Sequence, residues 1–264
     1  SPGHPESPQR IKSTFEYLKE KRFIFLEEFE PAKEEDLLLA HTKEHIQRIK
    51  NLDFSDPDTP ALTNIFDYCT LAAGAAIKAM ELSLDSQPAF SLMRPPGHHA
   101  GRNFLGGFCY FNNIAVATQK AISLDKKVAI LDLDCHHGNG TQDIFLGKEG
   151  VLYVSLHQAP LYPGTGLVSE KNCLNYPLIN RRGEIEYLDT LITALSKIND
   201  FGPNLLAISM GFDTYKIDPL THMSLERNSF AKIAQLIAQT RIPYFCVLEG
   251  GYSLDLKYCV YEFL

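Results

Sequence analysis

No apolar run in this sequence approaches the ~18 residues that a membrane-spanning helix needs. The longest runs, such as Leu205 to Met210, have the length of a strand, so no membrane span is expected. A basic excess is also missing: 25 Lys and Arg stand against 32 Asp and Glu, for a formal charge of −7. That argues against a broad nucleic-acid-binding face. Six cysteines lie scattered at 69, 109, 135, 173, 246 and 259 with no CxxC pair. At this length that is the usage of a reducing compartment, and a cytoplasmic location is expected. The opening SPGHPESPQR shows no basic segment followed by an apolar one, so no signal peptide is expected in it. Ser1 stands where a Met would start a chain, and the sequence stops soon after Tyr252, which leaves room for further terminal segments. Internal repeats and low-complexity tracts are absent.

What is present is globular. Hydrophobic residues make up 45% and charged residues 22%, which excludes wholesale disorder. A chain of 264 residues fits one large α/β domain, and one this long buries about 75% of its unfolded surface. A single domain over residues 1–264 is expected.

The first third reads as helical. Ser7 suits an N-cap and Pro8 a first turn, with Ile11, Phe15 and Leu18 on one apolar face. Residues 34–50 read as a second helix with a charged outer side, 55–60 as a loop, and 64–84 as a long Ala-rich helix. After that, short apolar runs alternate with amphipathic stretches. The runs are 89–93, 128–134, 151–157, 205–212 and 244–248; the stretches are 112–124, 184–200 and 227–240. Continuous apolar strands separated by helices predict an α/β fold, a predominantly parallel sheet with helices on both faces. The ligand crevice of such a sheet lies beyond the carboxyl ends of its strands.

The unusual residues fall there. The five runs lead into RPPGHH, DLDCHHGNG, SLH, GFD and EGGY respectively. Asp134 and His136 stand two apart, and residues i and i+2 of an extended segment point the same way. They can chelate one ion through oxygen and nitrogen, and Asp213 at another strand end can supply a third ligand. Two carboxylates and an imidazole leave open positions, as a catalytic metal site requires. The set suits Zn²⁺, with Fe²⁺ and Mn²⁺ also compatible. The plainer reading is that each Asp caps a following helix. His98 and His99 form a tandem pair in a loop stiffened by Pro and Gly. A divalent ion lowers the pKa of a coordinated water from about 15.7 toward about 7, and a nearby imidazole can take its proton. Asp132, one strand period from Asp134, is a candidate to orient one histidine and Asn139 the other. Tyr252, after two glycines, can turn its phenol toward a developing oxyanion, or be only a packed Tyr beside a turn.

RPPGHHAGRNFLGGFCYFNN, DLDCHHGNGTQ, SLH followed by YPGTG, GFDTYKIDPL and LEGGY together resemble the ordered motif set of zinc-dependent histone deacetylases. The likeness is nearest to their class II-like, bacterial and archaeal members, and runs from His4 to Tyr252. It implies the arginase–deacetylase fold and a metal-dependent deacetylase with one Zn²⁺ on Asp134, His136 and Asp213. It makes His98 and His99 the proton-handling pair, with His99 the general base, and Tyr252 the carbonyl polariser. It implies a narrow channel walled by Gly107, Phe108 and Leu161 or Tyr162, and a rim carboxylate at Asp58. It also implies a structural K⁺ held by Asp132, Ser155 and the carbonyls of Asp134, His136 and Leu156. Asn139 stands where class I members carry Asp, as in class II-like ones. Leu220 stands near where acetylpolyamine enzymes place an acidic gatekeeper, so acetyl-lysine in a protein or peptide is the expected substrate.

Other readings carry less. Gly138-Asn139-Gly140 is followed by no GK[ST], which weakens a phosphate loop, and no GxSxG elbow is present. Cys135 points away from the ligand candidates by strand alternation and reads as a packed thiol. His41 and His45 lack the HExxH glutamate and read as surface histidines. Phe23, Phe25 and Phe29 read as core. An acetylpolyamine amidohydrolase, a two-metal ureohydrolase-like enzyme and a non-catalytic acyl-lysine binder are the alternatives.

Overall fold

The computed structural model describes residues 3–26, 28–179 and 183–264. Helix α1 (Pro8–Glu20) starts at Pro8, whose fixed φ suits a first turn. Ser7 takes the extended N-cap conformation, but its side chain makes no capping hydrogen bond. The expected single helix over 34–50 is two: α2 (Glu34–Leu37) and α3 (Lys43–Lys50). The break falls where Thr42 becomes an N-cap, its hydroxyl accepting from the His45 N–H. Helix α4 (Ile65–Leu84) is the long Ala-rich one. From there strands and helices alternate: β1 (Ala89–Ser91), α5 (Asn113–Ser123), β2 (Val128–Asp132), α6 (Asn139–Phe145), β3 (Val151–Gln158), β4 (Cys173–Leu178), α7 (Glu184–Phe201), β5 (Leu205–Met210), α8 (Arg227–Gln239), β6 (Tyr244–Leu248) and α9 (Leu256–Phe263).

The six strands form one sheet in the order β1-β6-β5-β2-β3-β4, and every pairing is parallel. Strand β4 is not expected from the sequence. Its CLNYPL run mixes Asn175 and Pro177 into an edge position, where a missing ladder donor is tolerated. The central strands are buried on both faces because side chains alternate between two cores. Ala129, Leu131, Leu206 and Ile208 pack with α7, α8 and α9. Val128, Ile130, Leu205 and Ala207 pack with α3, α4 and α5.

Two expectations about burial are corrected. His41 and His45 are buried, not surface residues. His41 Nδ1 donates to the Gly101 carbonyl at 2.9 Å, and its Nε2 accepts from the Asn112 N–H at 2.9 Å. His45 Nε2 donates to the Tyr110 carbonyl at 2.8 Å. Phe23 and Phe25 are half-buried and pack against the core, whereas half-buried Phe29 joins neither core; all three line an apolar groove of about 900 Å³ beside β1. No described helix is long and apolar enough to cross a membrane.

Candidate active site at the carboxyl edge of the sheet

Parallel strands end together, so one edge of the sheet gathers the loops that leave β1, β2, β5 and β6. Asp132 closes β2, in register with Ser155 of β3 and Ser209 of β5. Just beyond that edge, Asp134, His136 and Asp213 bring ligand atoms within 4.8 Å of one another. Among the described residues this is the one such group of three. His136 Nδ1 lies 3.1 Å from Asp134 Oδ1 and 2.8 Å from Asp213 Oδ2. Asp213 Oδ1 accepts from the Cys135 N–H at 2.9 Å, and Asp134 Oδ2 accepts from the Gly250 N–H at 2.7 Å. Asp213 Oδ2 is buried with no partner in hydrogen-bond geometry.

The electrostatics follow from crowding two carboxylates out of water. Burial, then the charge of Asp134, raises the Asp213 pKa. Burial opposes ionisation of Asp134 too, but the charge of His98 and contact with His136 hold it below the usual carboxylate range. His136 is pushed up to about 10: burial disfavours its charge, and its contacts with the Asp134 and Asp213 carboxylates outweigh that. A site that grips a proton this strongly is one where a divalent cation replaces it. The orphaned Asp213 oxygen, the second carboxylate and the imidazole therefore fit a metal ion with open positions.

The tandem histidines stand alongside. His98 Nδ1 lies 3.2 Å from Asp132 Oδ2, and His99 Nδ1 lies 2.8 Å from Asn139 Oδ1. Burial works against a charge on His98, yet the carboxylates of Asp134 and Asp132 push its pKa up to about 10. Burial, with the charges of His98 and His136, drives His99 well down. The two rings thus sit in different settings, His98 backed by the Asp132 carboxylate and His99 by the uncharged Asn139 amide.

Tyr252 packs its ring between the Arg10 guanidinium, 4.6 Å from the centroid, and the edge of Phe108 at 5.7 Å. Desolvation around the phenol raises its pKa well above the ordinary value, against the pull of Arg10, so it stays a hydrogen-bond donor. Its backbone N–H donates to Asp218 Oδ2 at 2.7 Å. Tyr162 sets its ring edge-on to His99 at 5.0 Å and to His136 at 6.4 Å. A Cβ on Gly107 would lie 2.5 Å from His99 Cδ2 and 2.9 Å from Tyr162 Cε1. Gly107 and Tyr162 thus stand against His99, and Phe108 against Tyr252. Leu161 instead packs against the core on the α7–α9 side. Asp58 is exposed, its carbonyl accepting from His4 Nε2 at 3.2 Å. Leu220 is half-buried, with its N–H on Asp218 Oδ1 at 3.0 Å. Ser155 and Leu156 are buried in β3. Cys135 is a buried thiol turned toward Gln158, packed as expected, although it lies in a bend beyond the end of β2 at Asp132 rather than in the strand.

Three residues of this site are not recognisable in the sequence. Glu249 is fully buried, and its carboxylate accepts from the N–H groups of Gly97 at 2.7 Å and His98 at 3.1 Å. Arg10 donates to the carbonyls of Gly251 and Glu249, each at 2.7 Å. Glu6 holds Arg94 at the head of the histidine loop through a 2.7 Å hydrogen bond. A partial signal exists: a Glu inside an apolar strand end needs buried partners, but nothing in the sequence names them.

The histone deacetylase domain model matches residues 4–263. A probable deacetylase of Archaeoglobus fulgidus is 37% identical, over 97% of this chain and 78% of that protein. The crystal structure of the HDA15 HD domain superposes with a TM-score of 0.94 at 30% identity, over 98% of this chain and 83% of the other. An acetylpolyamine aminohydrolase structure from Burkholderia pseudomallei gives a TM-score of 0.87 at 26% identity, over 98% and 89%. With six parallel strands, the helices on both faces and the site at the strand ends, the chain has the arginase–deacetylase fold; it belongs to the histone deacetylase family and is a hydrolytic deacetylase.

Proposed function

We propose that this enzyme removes the acetyl group from acetyl-lysine in proteins or peptides, with one Zn²⁺ held by Asp134, His136 and Asp213. When bound there, zinc supplies a Lewis acid that polarises the acetamide carbonyl and acidifies a water. Gly107, Phe108 and Tyr162 sheath the lysine stem. The Tyr252 hydroxyl donates to the carbonyl oxygen, most strongly as that oxygen gains charge. His99, hydrogen-bonded to Asn139 through Nδ1, takes the proton of the attacking water at Nε2. His98, charged and backed by Asp132, steadies that proton, and the pair returns it to the departing amine. The C–N bond breaks, and acetate and free lysine result.

The observation that carries this reading is the His98–His99 pair, backed by Asp132 and Asn139, standing beside the Asp134–His136–Asp213 cluster. A structural K⁺ on Asp132, Ser155 and the carbonyls of Asp134, His136 and Leu156 belongs to the same proposal. In its support, Ser155 Oγ lies 2.8 Å from His157 Nδ1, and His157 Nε2 faces the Gly166 carbonyl at 3.0 Å. The Ser155 hydroxyl hydrogen then goes to His157, which leaves the oxygen lone pairs for a cation. One catalytic domain over residues 1–264 and a reducing, cytoplasmic setting complete the picture; six buried thiols without a disulfide support the latter.

Acetylated polyamine is the competing substrate, since the Burkholderia pseudomallei neighbour is an acetylpolyamine aminohydrolase. Leu220 offers no charge to a distant ammonium. The test is turnover of an acetyl-lysine peptide against acetylspermidine by the purified zinc form, with a chelated control. A peptide kcat/KM at least tenfold higher, abolished by chelator and restored by zinc, is expected. Preference for the polyamine overturns the substrate assignment, and chelator-resistant turnover overturns the metal.

A further inference from the structure

Behind the metal loop lies a polar cluster that the deacetylation chemistry does not use. His137 and His157 lie with ring centroids 4.7 Å apart and their planes tilted by 51°. His137 Nε2 lies 3.1 Å from Gln142 Oε1, which also accepts from Asn175 Nδ2 at 2.8 Å. That oxygen can only accept, so Nε2 carries the hydrogen, and a neutral His137 accepts the Thr165 hydroxyl hydrogen at Nδ1, 2.7 Å away. His157 holds the next residue through the Gly166 carbonyl, and Asn175 Nδ2 holds the Val168 carbonyl at 2.9 Å. Gly166 itself has φ +75°, and a Cβ there would lie 2.5 Å from His137 Cδ2 and 2.7 Å from His157 Nε2. The loop can seat on the two imidazoles only because this residue is glycine.

Tyr162 stands three residues before Thr165 in the same loop, across a turn closed by the Gly164 N–H on the Leu161 carbonyl. Its ring is half-exposed, so packing alone does not fix where it stands over His99. We propose that the Thr165–His137 hydrogen bond is a latch that positions Tyr162, and so sets the width of the channel and the grip on the substrate's aliphatic stem. Thr165 is a positioning residue for specificity. This rests on the reading of Tyr162 as a channel wall. A wall touches the stem equally before and during reaction, so loosening it raises KM and leaves kcat nearly unchanged.

The test is Thr165→Val, which keeps shape and removes the donor, beside Thr165→Ser, which restores it. Expected for Thr165→Val is a rise in acetyl-lysine peptide KM of roughly 5- to 10-fold, the weight of about one net hydrogen bond. Its kcat and zinc content should match wild type, and Thr165→Ser should behave as wild type. In a Tyr162→Ala background the same change should add nothing to KM. Amide hydrogen exchange over 161–166 should quicken in Thr165→Val, a readout that needs no turnover. An unchanged KM, a loss confined to kcat with loss of zinc, or full additivity with Tyr162→Ala overturns the latch. Wild-type protein inactive on acetyl-lysine would instead sink the substrate reading, and unchanged exchange would still decide against the latch.

Discussion

Asn139 Oδ1 accepts a hydrogen bond from His99 Nδ1 at 2.8 Å. The amide oxygen cannot donate, so the ring hydrogen is pinned to Nδ1 and the Nε2 lone pair is free. Burial, with the charges of His98 and His136, keeps His99 well below the ordinary imidazole range, and the uncharged Asn139 offsets that only in part. Asn139→Asp places a charge there and raises the proton affinity of His99. The base works neutral, so activity is lost as pH falls through its pKa. The acid limb of kcat/KM therefore moves to higher pH in the variant. A pH–rate profile with an unmoved acid limb would refute the role of His99 as base.

The Tyr252 ring packs against the Arg10 guanidinium and Phe108, and its backbone N–H bonds Asp218. Tyr252→Phe keeps that packing and deletes one donor. It should fold with wild-type Tm, bind zinc at one per chain and lose about 10²–10³ in kcat. Near-normal turnover in a metal-loaded, folded variant would count against the phenol as oxyanion donor.

Glu249 ties the end of β6 to the loop that carries both histidines. Glu249→Ala strands the N–H groups of Gly97 and His98 in the interior, at about 1–3 kcal/mol for each unsatisfied donor. Lower thermal stability and at least a tenfold drop in kcat are expected. Glu249→Gln, which still presents an acceptor oxygen, should recover most of both. Circular dichroism melts and steady-state kinetics on the two variants check this; equal loss in both would argue for charge rather than for the acceptor.

His41 is held neutral from both sides, donating to Gly101 and accepting from Asn112. Burial, helped by neighbouring His45, drives its pKa down to about 3, against 6.5 when exposed. The unfolded chain binds a proton between those values and the folded chain does not. The stability this group contributes is whole above about pH 6.5 and is lost as pH falls toward 3, by about 1.4 kcal/mol per pH unit. His41→Gln, whose amide can replace both bonds, should flatten that acid slope by one proton's worth. Urea unfolding between pH 4 and 7 measures it, and an identical slope in both proteins would sink the assignment.

The candidate site residues are legible in the chain because their pattern is local. Asp134 and His136 share a strand-like spacing, His98 and His99 are adjacent, and each polar cluster comes after an apolar run. A parallel sheet must end all those runs on one edge, so convergence follows from periodicity alone. The helix break at Thr42 and the edge strand Cys173–Leu178 are not legible, since one depends on a side-chain cap and the other on a neighbour's ladder. The burial of His41 and His45 is hidden for a like reason: their partners Gly101, Asn112 and Tyr110 lie more than fifty residues away.

Sequence by itself pointed to the α/β class, to Asp134, His136 and Asp213 as a candidate metal trio and to the tandem histidines, because these rest on spacing and side-chain type. Only the tertiary structure decided which neighbours tune them. It chose Tyr162 over Leu161 beside His99 and set Glu249 under the histidine loop. It also laid Thr165 on His137. Those choices depend on how loops from separate strands cross in space, and hydrogen bonds between segments far apart in the chain leave no periodic trace in it.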